Sequence, residues 1–131
     1  MRLLLDTHTF LWYYSGSSEL SEFARKCIDN PQNEFYISIV SLWEISIKNS
    51  IGKLDLDKPF DEFCKEIVEM GFTILPIDIA HLIKSSTLPF HNRDPFDRIL
   101  IAQAISENLD FVSRDAIVDS YLESEAIRKI W

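Results

Sequence analysis

Arg2-Leu3-Leu4-Leu5-Asp6 is the segment that decides the fold of this chain. Its three leucines form a short apolar run, and a run of this kind predicts a buried strand. Four later segments have the same character and are also predicted to be strands: Phe35–Ser38, Phe72–Leu75, Phe111–Ser113 and the weaker Ile127–Ile130. Because these strands are short and mostly apolar, they are typical of a parallel sheet that is covered on both faces.

Helical segments separate the predicted strands. They are Thr7–Tyr14, Glu19–Asp29, Leu42–Ile51, Pro59–Met70, Ile79–Ser86, Pro95–Asn108 and Ala116–Leu122. Strands that alternate with helices predict an α/β fold, a three-layer α/β/α sandwich with a short, mostly parallel central sheet. The 131 residues have the length of one domain, so we expect a single domain over residues 1–131.

The composition narrows the classes of protein to which the chain can belong. Apolar residues make up 47% and charged residues 26%, which is the balance of a folded globular protein and argues against disorder. Asp6 cuts the leucine run short and no apolar stretch is long enough to cross a bilayer, so we expect no signal peptide, no membrane segment and a cytoplasmic location. Cys27 and Cys64 form no ligand cluster. The net charge of −8 argues against a generally basic surface that binds phosphate.

Acidic residues follow the predicted strands or open the helices next to them. The five candidates are Asp6, Glu44, Asp94, Asp97 and Asp115. Ligands of such sheets bind at the carboxyl ends of the strands, so we expect these carboxylates to converge there. Clustered carboxylates repel one another unless a cation compensates them. Oxygen ligands without a set of Cys or His residues favour Mg²⁺, or Mn²⁺, over Zn²⁺.

Each acid except Asp6 also has a simpler structural interpretation. Ser41 and Glu44 have the spacing of a capping box at the start of a helix. The other acids are suited to cap a helix or to interact with a helix dipole: Asp94, Asp97 and Asp115. Asp6 directly follows three leucines, where an unbound carboxylate is costly. The combined pattern therefore favours a metal site over separate caps.

Three basic side chains are candidates to bind the phosphates of a substrate: Lys48, Arg98 and Arg114. Salt bridges to the same acids are an equal alternative, and Lys48 follows Glu44 by four residues, which is the spacing of a helical ion pair. Among the histidines, His8 is close enough to Asp6 to approach the site, whereas His81 is expected on a helix surface. The aromatic residues of the first helix are expected in the core or at a dimer contact rather than stacked on bases.

Four segments carry a pattern that is specific in combination: Leu3-Leu4-Leu5-Asp6-Thr7-His8, Ser41-Leu42-Trp43-Glu44-Ile45, His91–Ala104 with Asp94-Pro95-Phe96-Asp97-Arg98, and Val112-Ser113-Arg114-Asp115. In this order they resemble the PIN-domain family, and most closely the VapC-like toxins of type II toxin–antitoxin systems. The resemblance implies a three-layer fold, Mg²⁺-dependent endoribonuclease activity, a homodimer and a cognate antitoxin. It assigns the acidic quartet of the family to Asp6, Glu44, Asp97 and Asp115, with Asp94 as an additional acid. Ser113, a further candidate to contact substrate, stands where the family often has threonine.

The sequence therefore predicts metal-assisted hydrolysis of RNA phosphodiester bonds. The acidic quartet would position one or two Mg²⁺, which activate a water and neutralise charge on the phosphate. Two alternatives stay open: a non-catalytic acidic module that binds a basic partner, and a phosphatase-like phosphotransfer enzyme that uses Asp6 as nucleophile. The second is disfavoured because such enzymes typically carry Asp-x-Asp, and His8 occupies the second position. The acidic residues alone do not distinguish an RNA substrate from a DNA substrate.

Overall fold

A computed structural model describes residues 1–131, which form five strands and seven helices. The strands are β1 (Arg2–Leu5), β2 (Glu34–Ser38), β3 (Thr73–Leu75), β4 (Asp110–Val112) and β5 (Lys129–Ile130). The helices are α1 (Thr7–Ser15), α2 (Glu22–Asp29), α3 (Ile39–Ser50), α4 (Phe60–Glu69), α5 (Ile79–Thr87), α6 (Pro95–Glu107) and α7 (Ile117–Leu122). All strands are parallel, in the order β3-β2-β1-β4-β5. None of the helices combines the length and hydrophobicity that a bilayer span requires.

The side chains of β1 divide the core between the two faces of the sheet. Leu3 and Leu5 are completely buried on one face, together with residues of α1, α2 and α4. Leu4 is completely buried on the other face, together with residues of α6 and α7. Successive side chains of a strand point to opposite faces, so this one strand contributes to both core layers. The predicted three-layer α/β/α sandwich is confirmed.

The central position of β1 creates the crevice in which a site can form. β1 pairs with β2 on one side and with β4 on the other, so the strand order reverses at this point. The amide of Asp6 donates a hydrogen bond of 3.1 Å to the carbonyl of Val112, which keeps the ends of β1 and β4 together. Ligands of doubly wound sheets bind beyond the carboxyl ends of strands where the order reverses. The site is therefore expected at the ends of β1 and β4.

Helix α3 begins earlier than the sequence pattern predicts. Ser38, the last residue of β2, is its N-cap, and the Ser38 hydroxyl accepts a hydrogen bond from the amide of Val40. Ser41 lies inside the helix and is completely buried, so the capping box predicted for Ser41 and Glu44 is wrong. The earlier start moves Glu44 from the first turn of the helix into the second, where its side chain is buried.

The location of His81 also differs from the prediction. Its ring is completely buried at the start of α5 and is not exposed on a helix surface. The Nδ1 atom accepts a hydrogen bond from the amide of Asp78, and Nε2 lies 2.8 Å from a carboxylate oxygen of Glu107. Because both ring nitrogens have partners, the ring is satisfied inside the protein, and it joins α5 to the end of α6.

Candidate metal centre

Asp6 ends the central strand and is the first residue of the candidate site. It is the N-cap of α1, and its Oδ1 atom accepts a hydrogen bond of 2.8 Å from the amide of Thr9. This bond satisfies one of the free amides at the start of the helix and fixes the orientation of the carboxylate. The other oxygen, Oδ2, has no partner within the protein. Asp6 therefore combines a fixed position with a free oxygen atom, as a metal ligand requires.

Asp97 lies in the first turn of α6 and has the most perturbed carboxyl group of the site. Burial raises its pKa from an ordinary value of 3.8 to about 6, and the carboxylates of Asp94, Asp6 and Glu44 add to the increase. The side-chain amide of Asn92 donates a hydrogen bond of 3.1 Å to Oδ2 of Asp97 and acts in the opposite direction. Three negative charges, one from the N-cap of the same helix and two from other elements, therefore act on one carboxyl group, which forms no ion pair with a basic side chain.

Glu44 contributes a buried carboxylate whose charge is partly compensated. It is only 7% exposed. Its Oε1 atom accepts a hydrogen bond of 2.8 Å from the hydroxyl of Thr7, and its Oε2 atom lies 3.0 Å from Nζ of Lys48. The ion pair that the spacing of Lys48 and Glu44 predicts is therefore present. Thr7 follows Asp6 in the chain, so its hydrogen bond brings the starts of α1 and α3 together beside the acids.

Asp115 follows β4 in the short loop that leads to α7. Its side chain is exposed, and its Oδ1 atom accepts a hydrogen bond of 3.1 Å from the amide of Ile117. Its own amide donates a hydrogen bond of 3.1 Å to the hydroxyl of Ser113, which is completely buried. Asp115 thus makes the contact with the start of a helix that its simpler interpretation predicts. The contact leaves Oδ2 without a partner in the protein.

Asp6, Asp97 and Asp115 line one cavity of about 410 Å³ beyond the ends of β1 and β4. The rest of its wall consists of His8, Trp12, Ile101, Phe111, Ser113, Arg114, Ala116 and Val118. Glu44 does not line the cavity, although its charge reaches Asp97. Carboxylates dominate the possible ligands and no cysteine is present, which fits Mg²⁺ or Mn²⁺ better than Zn²⁺. The free oxygens and the excess negative charge suit a divalent cation, although the carboxylate oxygens of Asp6, Asp97 and Asp115 do not all lie within 4.8 Å of one another and would have to move closer together around an ion.

The family model of the PIN domain matches residues 3–121. The chain belongs to the PIN domain family. The matched range contains every acid of the candidate site, so the family resemblance indicated by the sequence motifs is confirmed. A search of curated protein sequences finds no match to the chain.

Solved structures share the fold of this PIN domain at low sequence identity. VapBC2 from Rickettsia felis, bound to a DNA fragment from its promoter, contains a chain that matches with a TM-score of 0.72 and 15% identity over 100% of both chains. A chain of VapBC-1 from nontypeable Haemophilus influenzae has a TM-score of 0.67 and 13% identity, over 98% of this chain and 96% of that chain. A toxin–antitoxin complex from Klebsiella pneumoniae has a TM-score of 0.61 and 18% identity over 92% of each chain. At these identities the matches establish the shared fold.

Arg98 of the PIN domain is not at the acidic cluster. Its guanidinium donates hydrogen bonds to the backbone carbonyls of Ser85, Leu88 and Pro89, and the residue is only 8% exposed. Contrary to the prediction that Arg98 grips a phosphate, its donors are used to close the connection between α5 and α6. The spacing in the sequence places Arg98 next to Asp97, but neighbouring helical residues point in different directions.

Arg114 and Asp94 are both near the cluster, but only Arg114 lines the cavity. The Arg114 guanidinium lies 4.5 Å from the centre of the Trp12 ring and pairs with Glu19. Asp94 is exposed and is the N-cap of α6, where its carboxylate accepts a hydrogen bond of 2.9 Å from an amide of the first turn. Asp94 therefore makes the cap that its simpler interpretation predicts, and its charge also raises the pKa of Asp97.

Two residues that position the acids, Thr7 and Asn92, have little or no signal in the sequence. Thr7 binds Glu44 across 37 positions of the chain, and no local pattern predicts that contact. Asn92 lies in the loop before α6, and its side-chain N–H donates a hydrogen bond to the carboxylate of Asp97. Its Oδ1 atom accepts a second hydrogen bond, from the backbone amide of Asp94. A polar residue shortly before a helix was a usable signal for Asn92, whereas Thr7 required knowledge of the fold.

Asp78, His81 and Glu107 form a second group with metal-ligand side chains, whose ligand atoms lie within 4.8 Å of one another. Nδ1 of His81 already accepts a hydrogen bond from the amide of Asp78, so Nε2 is the protonated nitrogen and its N–H donates a hydrogen bond to the carboxylate of Glu107. With both nitrogens engaged, the ring has no free lone pair for a metal. We assign this group a structural role, which is to hold α5 against α6.

Proposed function

We propose that this PIN domain is a metal-dependent endoribonuclease that holds Mg²⁺, or Mn²⁺ in its place, between Asp6, Asp97 and Asp115, with Glu44 adjoining them. The observation that carries the proposal is the convergence of three carboxylates on one cavity at the strand ends. Membership of the PIN domain family supports nuclease chemistry. The choice of RNA rests on the resemblance of the sequence motifs to VapC-like toxins.

The chain contributes to this chemistry mainly by positioning the carboxylates. A bound Mg²⁺ would lower the pKa of its coordinated water and neutralise charge on the phosphoryl oxygens. The amide of Thr9 fixes Asp6, the side chain of Asn92 fixes Asp97, and the start of α7 fixes Asp115. Groups that are fixed before the substrate binds need no reorganisation during the reaction. The positioning residues are therefore expected to affect turnover as well as metal affinity.

The charge distribution determines where such a nuclease can bind RNA. The net charge is −8, and Lys48 is already paired with Glu44, so the surface as a whole does not attract phosphate. A divalent cation in the cavity would reverse the local sign. Arg114 is the basic side chain in the cavity wall, and because its ion pair with Glu19 is exposed and therefore weak, it is the candidate to contact a neighbouring phosphate. Binding of RNA should therefore depend strongly on the metal.

The same cavity offers its carboxylates to an inhibitor protein. We propose that the chain is the toxin of a type II pair and that its antitoxin inserts a basic segment among the free carboxylates. The fold is shared with a toxin–antitoxin complex from Klebsiella pneumoniae, which supports this assignment. A gene for a small DNA-binding protein beside the gene for this chain would support it further.

A cleavage assay with purified protein tests the enzymatic function. We expect Mg²⁺-dependent cutting of RNA, complete inhibition by EDTA, and no hydrolysis of DNA of the same sequence or of p-nitrophenyl phosphate. Cleavage that persists in EDTA contradicts the metal mechanism. Hydrolysis of the phosphomonoester with a covalent phosphate on Asp6 favours the phosphatase alternative. Binding of Mg²⁺ without cleavage of tRNA, rRNA or mRNA favours the non-catalytic acidic module.

An apolar groove of about 680 Å³ supports a homodimer. It lies between α3, α5 and the start of α6. Its wall contains four apolar residues that are 41%, 61%, 52% and 79% exposed: Ile39, Trp43, Leu82 and Phe90. None of its 12 lining residues is acidic, although the chain has 21 acids. Two copies of an acidic protein repel each other less where the contact face carries no acidic residue. We therefore propose that this groove face joins two copies of the chain.

Leu82→Glu tests the dimer. The substitution places a carboxylate in an apolar contact, where its desolvation is costly, so sedimentation velocity should show a dimer for the wild type and a monomer for the variant. Val68→Glu is the matched control, because Val68 is 56% exposed on α4, outside the groove, and this variant should remain dimeric. A monomeric wild type, or a dimeric Leu82→Glu protein, contradicts the proposed interface.

A further inference from the structure

Two rings on α1 separate the acidic cavity from a second groove. His8 and Trp12 line the cavity of Asp6, Asp97 and Asp115, and both also line a neighbouring groove of about 450 Å³. The other residues of that groove are Leu11, Tyr14, Ser15, Leu54, Asp55, Leu56 and Asp57. The two rings lie one helical turn apart, with centroids 5.8 Å apart and planes inclined by 32°. We call His8 and Trp12 the ring pair.

Core packing accounts fully for Phe10 of α1 but only in part for the ring pair. Phe10 is completely buried against Phe63 and Phe72. His8 is exposed, and neither of its ring nitrogens has a hydrogen bond with the protein. Trp12 is half-buried and packs edge-on against Trp131, with ring centroids 6.0 Å apart, and its indole N–H donates to no protein group. The ring pair thus presents aromatic surface and free polar edges directly beside the carboxylates.

The ring pair has one basic neighbour, Arg114, whose ion pair with Glu19 is exposed, and the acidic residues Asp55 and Asp57 line the second groove. The Arg114 guanidinium lies 4.5 Å from the centre of the Trp12 ring, and Arg114 immediately precedes Asp115 in the loop after β4. An aromatic ring provides a stacking surface for any base, and an adjacent guanidinium attracts the phosphate of the same nucleotide. Proteins recognise single-stranded RNA through this combination, whereas the bases of a duplex are not available for stacking.

We propose that His8 and Trp12 form a stacking site for one unpaired nucleobase next to the phosphate that is cleaved, with Arg114 at the adjoining phosphate. The inference rests on the proposed function, because it assigns a substrate-positioning role beside the metal centre. Both rings are carried by α1, the helix that Asp6 caps, so the stacked base has a fixed distance from the metal ligand. The base therefore helps to set which phosphate enters the cavity.

Binding of a fluorescein-labelled single-stranded RNA decamer, measured by anisotropy with Ca²⁺ in place of Mg²⁺, tests the stacking site. Trp12→Leu should weaken binding about tenfold or more, which is the usual effect of losing one stacked base, and should raise KM more than it lowers kcat in Mg²⁺. Trp12→Phe should restore most of the affinity, and His8→Ala should lower it several-fold. Phe23→Leu is the matched control, since Phe23 is 55% exposed on α2, away from both grooves, and it should have no effect.

A set of decamers with one abasic nucleotide at successive positions identifies the stacked base. For the wild type, one abasic position should weaken binding about as much as Trp12→Leu does, and in Trp12→Leu that same position should have no further effect. If the wild type cleaves RNA, but Trp12→Leu has the same RNA affinity, KM and response to abasic positions as the wild type, the stacking site is wrong. The proposed function would still stand. If Trp12→Leu loses only binding to a protein partner, the stacking site is wrong as well. If the wild type cleaves no RNA in Mg²⁺, the proposed function itself fails.

Discussion

Asp97→Asn is expected to abolish RNA cleavage and, at the same time, to stabilise the metal-free protein. Its cleavage rate should fall about 10³-fold or more, since a metal ligand supports several kcal/mol of transition-state stabilisation. The stability gain follows from the pKa of Asp97, which burial and the carboxylates of Asp94, Asp6 and Glu44 raise from 3.8 to about 6. A carboxyl group whose pKa is higher in the folded state than in the unfolded state destabilises the fold when it is ionised.

The sign of this effect sets its pH dependence. The cost of ionising Asp97 is absent below about pH 4, develops as the pH rises towards 6, and remains constant above that value. Asparagine removes this cost and can still accept the hydrogen bond from Asn92. At pH 7.5 the variant should gain about 1–2 kcal/mol in free energy of unfolding, after allowance for partial exposure. That gain corresponds to a rise of several degrees in Tm.

Thermal melts in EDTA at pH 7.5 and pH 4.5 measure the gain. Asp97→Asn should melt higher than the wild type at pH 7.5, and the difference should shrink at pH 4.5. Mg²⁺ should raise the Tm of the wild type and not that of the variant, because only a folded site that binds the ion gains stability. Asp61→Asn, in the first turn of α4, is the matched control and should behave as the wild type in every assay. A variant that cleaves RNA normally, or that is less stable at pH 7.5, contradicts this account of Asp97.

Arg98→Met is expected to cause the largest loss of stability, about 3 kcal/mol or more in free energy of unfolding. The guanidinium is buried, donates to the carbonyls of Ser85, Leu88 and Pro89, and lies 4.2 Å from the centre of the Phe90 ring. Methionine keeps the apolar stem but removes the donor of the Leu88 and Pro89 carbonyls, while the Ser85 carbonyl keeps the amide of Leu88. The buried Leu88 carbonyl left unpaired costs about 1–3 kcal/mol, and the lost bonds to Pro89 and the Tyr121 hydroxyl add to this cost. The connection between α5 and α6, which also carries Asn92, should loosen first.

Urea denaturation followed by circular dichroism measures this loss. Arg128→Met is the control, because Arg128 is an exposed arginine whose surface ion pair with Asp110 should contribute less than about 1 kcal/mol. If Arg98→Met unfolds at the same urea concentration as the wild type but raises KM for RNA, then Arg98 grips phosphate, as the sequence pattern originally suggested.

Parts of the fold that depend on local patterns could be predicted from the sequence. The apolar run of β1 predicts a buried strand, and the glycine that follows α4 predicts the end of that helix. Both features depend only on residues that are close together in the sequence. Boundaries were less accurate where two residues had equal capping ability. Ser38 and Ser41 can both cap a helix, and Ser38 caps α3; likewise α2 begins at Glu22, after Ser21, and not at Glu19.

The acids of the candidate site were predictable because they follow strands. A parallel sheet brings the carboxyl ends of its strands to one edge, so Asp6 and Asp115 meet although 109 positions separate them. The direction in which Arg98 points and the burial of His81 were not predictable, since both depend on how α5 packs against α6. The hydrogen bond from Thr7 to Glu44 depends in the same way on the packing of two helices.

Titration of Mg²⁺ into EDTA-treated protein, followed by calorimetry, tests the central claim that three carboxylates at the strand ends form one metal site. The wild type and Asp61→Asn should bind Mg²⁺ with the same affinity. Asp6→Asn, Asp97→Asn and Asp115→Asn should each bind it at least about tenfold more weakly, while their circular dichroism spectra remain unchanged. If Mg²⁺ binds all of these variants as tightly as the wild type, or does not bind the wild type at all, the carboxylate cluster is not a metal centre.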